Sequence, residues 1–257
     1  MNDRIILILL SLSISIFSCS SKKQILYLQN LDESNLYEYD YTDHKISVDD
    51  ILKIEVSAEI PETAIIYNPG GIQTNISNSK EGLIYDGYQV NTEGNIYFPS
   101  LGKIRVVGLT TNELRDLLYD TIVKKAVLNN PFIDVKILNS HFTILGEVNI
   151  PGRHEFLRNN LNILQAIGIA GDLTINGRRD DVRLIRKGEN GNLNTSYINL
   201  TNANDLLNSD FFQIMSGDVI IVNPNSTRVK NAGIIGNSGT LLTLLSFILS
   251  SIIVINN

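Results

Sequence analysis

Two acidic pairs (Asp49-Asp50 and Asp180-Asp181), three histidines (His44, His141 and His154) and four arginines (Arg178, Arg179, Arg183 and Arg186) have the means for acid–base or anion chemistry. Hydrolysis needs a carboxylate pair aimed into one cleft, or a nucleophile held by a base. Adjacent residues point to opposite faces of a strand and sit about 100° apart on a helix, so neither Asp pair converges by itself. Both pairs read as solvated caps. The histidines have no Gly-x-Ser-x-Gly motif and no cysteine partner. The arginines could meet an anionic sugar or a partner subunit, but more often such residues are ordinary surface charge. One cysteine and three scattered histidines make no zinc, haem or disulfide set. The expectation is no catalytic residue, no metal and no cofactor.

The cysteine has a different explanation. Arg4 opens a short basic start, Ile5 to Phe17 is apolar apart from serines, and Ser18-Cys19 closes the run. That is the pattern of a secretory signal, too short for the roughly 20 apolar residues of a spanning helix. Ile16-Phe17-Ser18-Cys19 resembles a bacterial lipobox, which makes Cys19 the lipidation site and the first mature residue. No Asp follows Cys19, a pattern similar to lipoproteins passed on to the outer membrane.

The opposite end is as informative. From Asn231 to Asn257 there is no charged residue, and Leu241 to Ile255 is almost wholly apolar after a Gly233-x-x-Gly236-x-x-Gly239 hinge. A helix over 240–255 would be about 24 Å long, short for a standard bilayer but suited to a thinner outer membrane. At helical spacing Thr243, Ser246 and Ser250 fall on one stripe, opposite Leu241, Leu245, Ile248, Ile252 and Ile255. These hydroxyls are candidate pore-lining residues, and the stripe suggests self-association. A plain apolar tail packed on the protein's own core is the competing reading.

Between the ends, 257 residues with 43% hydrophobic and 19% charged side chains have enough apolar surface for a core. The net charge of -6 argues against a nucleic-acid partner. Residues 20–45 read as a polar, tyrosine-rich tether, and Ile46–Val56 as a strand with Ile54 and Val56 on one side. Residues 61–87 read as a long excursion outside the core. Tyr88–Phe98 predicts two strands joined at Glu93-Gly94-Asn95, and Lys103–Val107 another. Thr110-Thr-Asn-Glu113 is a capping box for a helix with Leu114, Leu117, Leu118, Ile122 and Val127 on its apolar face, stopped by Asn129-Asn130-Pro131. Strands follow at 133–137 and 142–148, then a helix over 161–170 capped by Gly171, strands at 182–186 and 196–200, and a last one within 217–224. The fold class is α+β.

These pieces resemble the outer-membrane polysaccharide export lipoproteins, the family of Wza-type capsule and exopolysaccharide export channels. The likeness is closest over Val90–Gly102 with Gly108-Leu-Thr110 and Glu113-Leu114. Ile46–Val56 looks like the family's opening strand, with Ser47-Val48-Asp49 where Pro-Gly-Asp is common. Gly146-Glu-Val, Pro151-Gly152, Leu164–Gly171 and Gly217–Val222 are similar to its soluble-ligand-binding (SLBB) β-grasp domain. The resemblance implies a lipoprotein signal over 1–18, a tether over 19–45, and a polysaccharide-export α+β domain over 46–139. An SLBB-like domain over 140–225, a hinge over 226–239 and a C-terminal amphipathic transmembrane helix over 240–255 complete it. It also implies a ring of identical subunits, octameric in the type member, lipid-anchored in the outer membrane with most of the chain in the periplasm. The partners implied are the polysaccharide chain and an inner-membrane co-polymerase, often a tyrosine kinase. The expected role is passive export of capsular or exopolysaccharide. The rivals are a periplasmic glycan-binding or sensory lipoprotein without a pore, and a hydrolase with an unrecognised site.

Overall fold

The computed structural model describes residues 25–31, 41–68, 87–125, 128, 130–157, 160–188 and 191–231, together with Gly239, Leu242, Thr243, Ser246, Phe247, Ser250 and Ser251. Helices and sheets alternate around two hydrophobic clusters, one within 46–137 and one within 142–222, so the protein is α+β.

In the first cluster, strand β1 (Ile51–Ser57) alternates as the sequence predicts: Leu52, Ile54 and Val56 are buried while Glu55 and Ser57 are exposed. A short helix α1 (Pro61–Ala64) runs into a single 3₁₀ turn at Ile65–Tyr67. Strand β2 (Tyr88–Gln89) lies along one edge of β1, and β3 (Asn95–Phe98) pairs with β4 (Gly102–Arg105) as a separate ribbon. Helix α2 (Thr111–Lys124) buries Leu114, Leu118 and Ile122 over strand β5 (Phe132–Ile137), the other neighbour of β1. Its capping box forms in full: the Glu113 amide donates to Thr110 Oγ1 at 3.1 Å, and the Thr110 amide to Glu113 Oε2 at 2.8 Å.

The second cluster is covered by a five-stranded sheet in the order β7-β6-β10-β8-β9. The strands are β6 (His141–Gly146), β7 (Gly152–Glu155), β8 (Gly177–Lys187), β9 (Leu193–Ile198) and β10 (Val219–Pro224). Strands β6 and β10 are parallel and the other pairs antiparallel. Helix α3 (Ile163–Ile169) contributes buried Ile163, Ala166 and Ile167, each isoleucine adding about 1.5–3 kcal/mol of burial. Asn162 and Gln165 cap its start reciprocally. It ends in a Schellman turn at Gly171 (φ 74°), where the Asp172 amide reaches back to Ile167 O and the Gly171 amide to Gly168 O. Helices α4 (Ala203–Leu207) and α5 (Ser226–Asn231) flank β10 in sequence.

Several expectations need correction. The stretch that begins at Pro61 is not all excursion. Tyr67 is fully buried, its ring lies 6.2 Å from that of Phe98, and Asn68 clamps the β1 backbone at Val56 through both its amide oxygen and nitrogen. Ala64, 2% exposed, belongs to the same cluster. The remainder, 69–86, lies outside the described residues. Tyr88–Phe98 is no hairpin: the turn at 91–94 forms, but β2 pairs with β1 and β3 with β4. Gly94 explains the turn, because its φ is 80° and a Cβ there would sit 2.3 Å from Val107 Cγ1. Helix α2 ends at Lys124, ahead of Asn129-Asn130-Pro131. Leu117 on its predicted apolar face is 42% exposed, and Val127 lies outside the described residues.

Candidate functional site

Cys19, the predicted lipidation site, lies outside the described residues, as do Gly233 and Gly236 of the hinge and most of 240–255. The stripe residues themselves are described. Gly239, Leu242, Thr243, Ser246, Phe247, Ser250 and Ser251 are helical, and Thr243, Ser246 and Ser250 are all exposed. Ser246 Oγ donates to Thr243 O at 2.8 Å and Ser250 Oγ to Ser246 O at 2.7 Å, so the stripe runs along one face bonded to its own helix. Leu242 and Phe247 are 62% and 71% exposed. Among the described residues no helix is long and apolar enough to cross a membrane.

Within the expected tether, residues 25–31 lie against the second cluster. Tyr27 and Leu28 pack on the second cluster, with Leu28 and Gln29 donating to Leu200 O and Thr201 O. The Tyr27 hydroxyl donates to Asp172 and its ring lies 5.1 Å from the Arg179 guanidinium. Burial, reinforced by that hydrogen bond, pushes its pKa up to about 12.

The two clusters meet along a seam of polar side chains. Gln213, 3% exposed, holds Thr42 at both ends: its Oε1 accepts from the Thr42 amide at 3.1 Å, and its Nε2 donates to Thr42 O at 2.7 Å. Asn139 holds the start of β1, accepting from the Ile51 amide and donating to Asp49 O. Between these lie His44 and Asp50, 4.0 Å apart. Asp50 is 6% exposed and accepts from the Ser47 amide at 2.8 Å, so this member of the acidic pair is a buried cap instead of a solvated one. Burial, the largest effect on each, raises the Asp50 pKa and lowers that of His44; their mutual attraction only offsets it in part. Both are driven toward neutrality, which suits a structural seam.

Of the four arginines, Arg179 and Arg186 are tied into buried groups, while Arg178 stays in an exposed ion pair. Arg186 forks onto Asp218, with Nε–Oδ1 at 2.9 Å and Nη2–Oδ2 at 2.7 Å, and donates to Gln213 O. Asp218 is 1% exposed and takes a third hydrogen bond from the Met215 amide. Arg179, 5% exposed, donates to the carbonyls of Thr174 and Gly177. Arg178 pairs with Asp180 and Asp181, and that bond holds the Asp180 carboxyl below its usual range. Arg183 lies over Tyr197 and bonds its hydroxyl. Nothing brings the histidines or acidic pairs into a hydrolytic constellation, and no cluster of three metal-ligating side chains occurs among the described residues. Sequence reasoning missed Asp218, Arg186 and Gln213 as a network; Gly217-Asp218 before a hydrophobic strand was the available signal.

Residues 38–138 match the model of the family described as polysaccharide biosynthesis/export protein. The chain is 30% identical over 154 residues to the EPS I polysaccharide export outer membrane protein EpsA of Ralstonia solanacearum, covering 58% of this chain and 40% of the relative. It is 34% identical over 107 residues to the protein of the same name from Ralstonia nicotianae, covering 40% and 28%. The alignments thus span less than half the length of these relatives.

Proposed function

We propose, from the match of residues 38–138 to the polysaccharide biosynthesis/export protein family, that the chain is a subunit of an oligomeric outer-membrane channel. In this role it carries capsular polysaccharide or exopolysaccharide from the periplasm to the cell surface as a passive conduit, without catalysis. The observation that carries the reading is the family match to the first unit, together with relatives named as polysaccharide export outer membrane proteins. Selection of the cargo then belongs to the lumen surface and to an inner-membrane co-polymerase.

Cys19 is the lipid anchor in this reading. Each buried methylene contributes about 0.8 kcal/mol, so several acyl chains hold the protein on the membrane almost permanently. Residues 140–225 act as an SLBB-like β-grasp unit, supported by a mixed sheet that shares its core with α3. Residues 240–255 form the membrane-spanning helix, with Thr243, Ser246 and Ser250 toward the pore. Support comes from Leu242 and Phe247, which a single copy leaves in water and which lipid or neighbouring copies would cover. The second reading, a monomeric periplasmic glycan-binding or sensory lipoprotein, is favoured by the serine back-bonds, because hydroxyls satisfied within the helix do not require a lumen.

Native mass spectrometry of the detergent-extracted protein separates the two. A discrete ring of identical subunits with acyl mass on Cys19, lost to monomer when 232–257 is deleted, supports the channel. A lipidated monomer at every concentration contradicts it.

A further inference from the structure

An open groove of about 580 Å³ runs along the seam, within the roughly 300–1,000 Å³ range of small-ligand sites. One wall is the outer face of β5, with Phe132, Asp134 and Lys136. Among the described residues strand β5 pairs only with β1, so its far edge offers backbone donors and acceptors to whatever lies in the groove. The first turn of α2 supplies Thr111, Asn112 and Arg115, and the opposite rim supplies Tyr41, Leu157 and Asn160. The rim is held in place: Gln213 fixes Thr42, the residue between Tyr41 and Asp43, and the Ile46 amide donates to Leu109 O just ahead of α2.

We propose that this groove binds a short segment of an uncharged glycan, a site that rests on the polysaccharide-export reading above. Hydroxyl-rich rings match its mixture of amide, hydroxyl and ionic side chains. Phe132, 70% exposed, offers an aromatic face whose negative π-cloud attracts the C–H face of a sugar ring. Charge decides against an acidic glycan. Asp43 and Asp134 balance Arg115 and Lys136, and each cation already has a carboxylate: Lys136 Nζ is 2.6 Å from Asp134, and Arg115 Nε is 3.1 Å from Asp116. No surplus positive field remains for a uronate chain.

The test presents the full-length, detergent-extracted protein to an array of neutral and uronate-containing bacterial oligosaccharides, then measures the tightest neutral ligand by calorimetry. Phe132→Ala, at an exposed position, should weaken that ligand about tenfold or more without changing the circular dichroism. Tyr197→Ala, on β9 away from the groove, should leave it unchanged. Three results would overturn the site: no neutral ligand, uronate ligands alone, or affinity untouched by Phe132→Ala. A Phe132→Ala protein whose subunit number changes while its glycan affinity does not would make this face a contact between copies, which also overturns it. Surface polysaccharide is measured in parallel in a strain lacking the chain. Export that needs the chain while the groove binds nothing removes this inference alone; export that continues without the chain removes the export reading.

Discussion

Replacing Asp218 with Asn isolates a heavily bonded buried charge in the second unit. The carboxylate is 1% exposed and receives three hydrogen bonds, two from the Arg186 guanidinium and one from the Met215 amide. Breaking a buried ion pair by removing one partner costs about 3–5 kcal/mol. The low end applies here: the Arg186 side chain keeps 19% of its exposure, the Gln213 carbonyl and the Phe211 ring 5.1 Å away. A loss of about 3 kcal/mol is a large part of the 5–15 kcal/mol that holds a domain together. At about 4–8 °C per kcal/mol for a unit of this size, the second unit should melt roughly 12–24 °C lower. Differential scanning calorimetry of the full chain in detergent reads this directly. The double variant Arg186→Met/Asp218→Leu should recover much of the loss, since it strands no charge. A fall of less than about 1 kcal/mol for Asp218→Asn, or no recovery in the double variant, refutes the view that the Arg186–Asp218 pairing stabilises the second unit.

Other consequences are simpler to state. Thr110→Ala removes the α2 capping box and should cost about 1 kcal/mol, measured by urea denaturation, with Thr110→Ser close to wild type. Gly146→Ala should cost more than about 2 kcal/mol, because φ is 93° and the new Cβ would sit 2.1 Å from Val222 O; an unchanged midpoint contradicts the β6–β10 register. His44, facing Asp50 with Asp218, Arg186 and His141 nearby, has a folded pKa below 6.5, so its contribution to stability should be lost as pH falls below that value. Asp50 acts in the opposite sense, its folded pKa lying above 3.8, so its contribution falls as pH rises past that point. His44→Gln should therefore remove the rise of stability toward pH 6.5 and leave the Asp50 fall, a difference that chemical denaturation across pH would show.

Periodicity and caps carried most of the architecture. Strand β1, the Thr110 box, the Gly171 turn and the final hydrophobic strand were legible because each depends on residues within about one turn of one another. Pairing was not: β2 lies beside β1 and not β3, a choice set by long-range contacts such as Tyr88 against Phe98, with ring centroids 5.1 Å apart. Tyr67 stood directly before Asn68-Pro69-Gly70-Gly71, and the strand Gly152–Glu155 among turn residues, so local composition outweighed one buried ring and one ladder. Charged side chains were the hardest to place. Asp50 and Asp180 sit in similar acidic pairs, yet one is buried on a seam and the other lies on a strand beside Arg178, and only the packed tertiary structure separates them.

Export itself is the most direct measurement. In a strain deleted for this chain, surface polysaccharide is quantified after complementation with the full sequence, with a version lacking 232–257, and with Cys19→Ala. The channel account predicts restoration by the full chain, none by the truncated chain despite its stable accumulation in the periplasm, and strongly reduced export from Cys19→Ala with loss of outer-membrane fractionation. Normal surface polysaccharide from the truncated chain would contradict it.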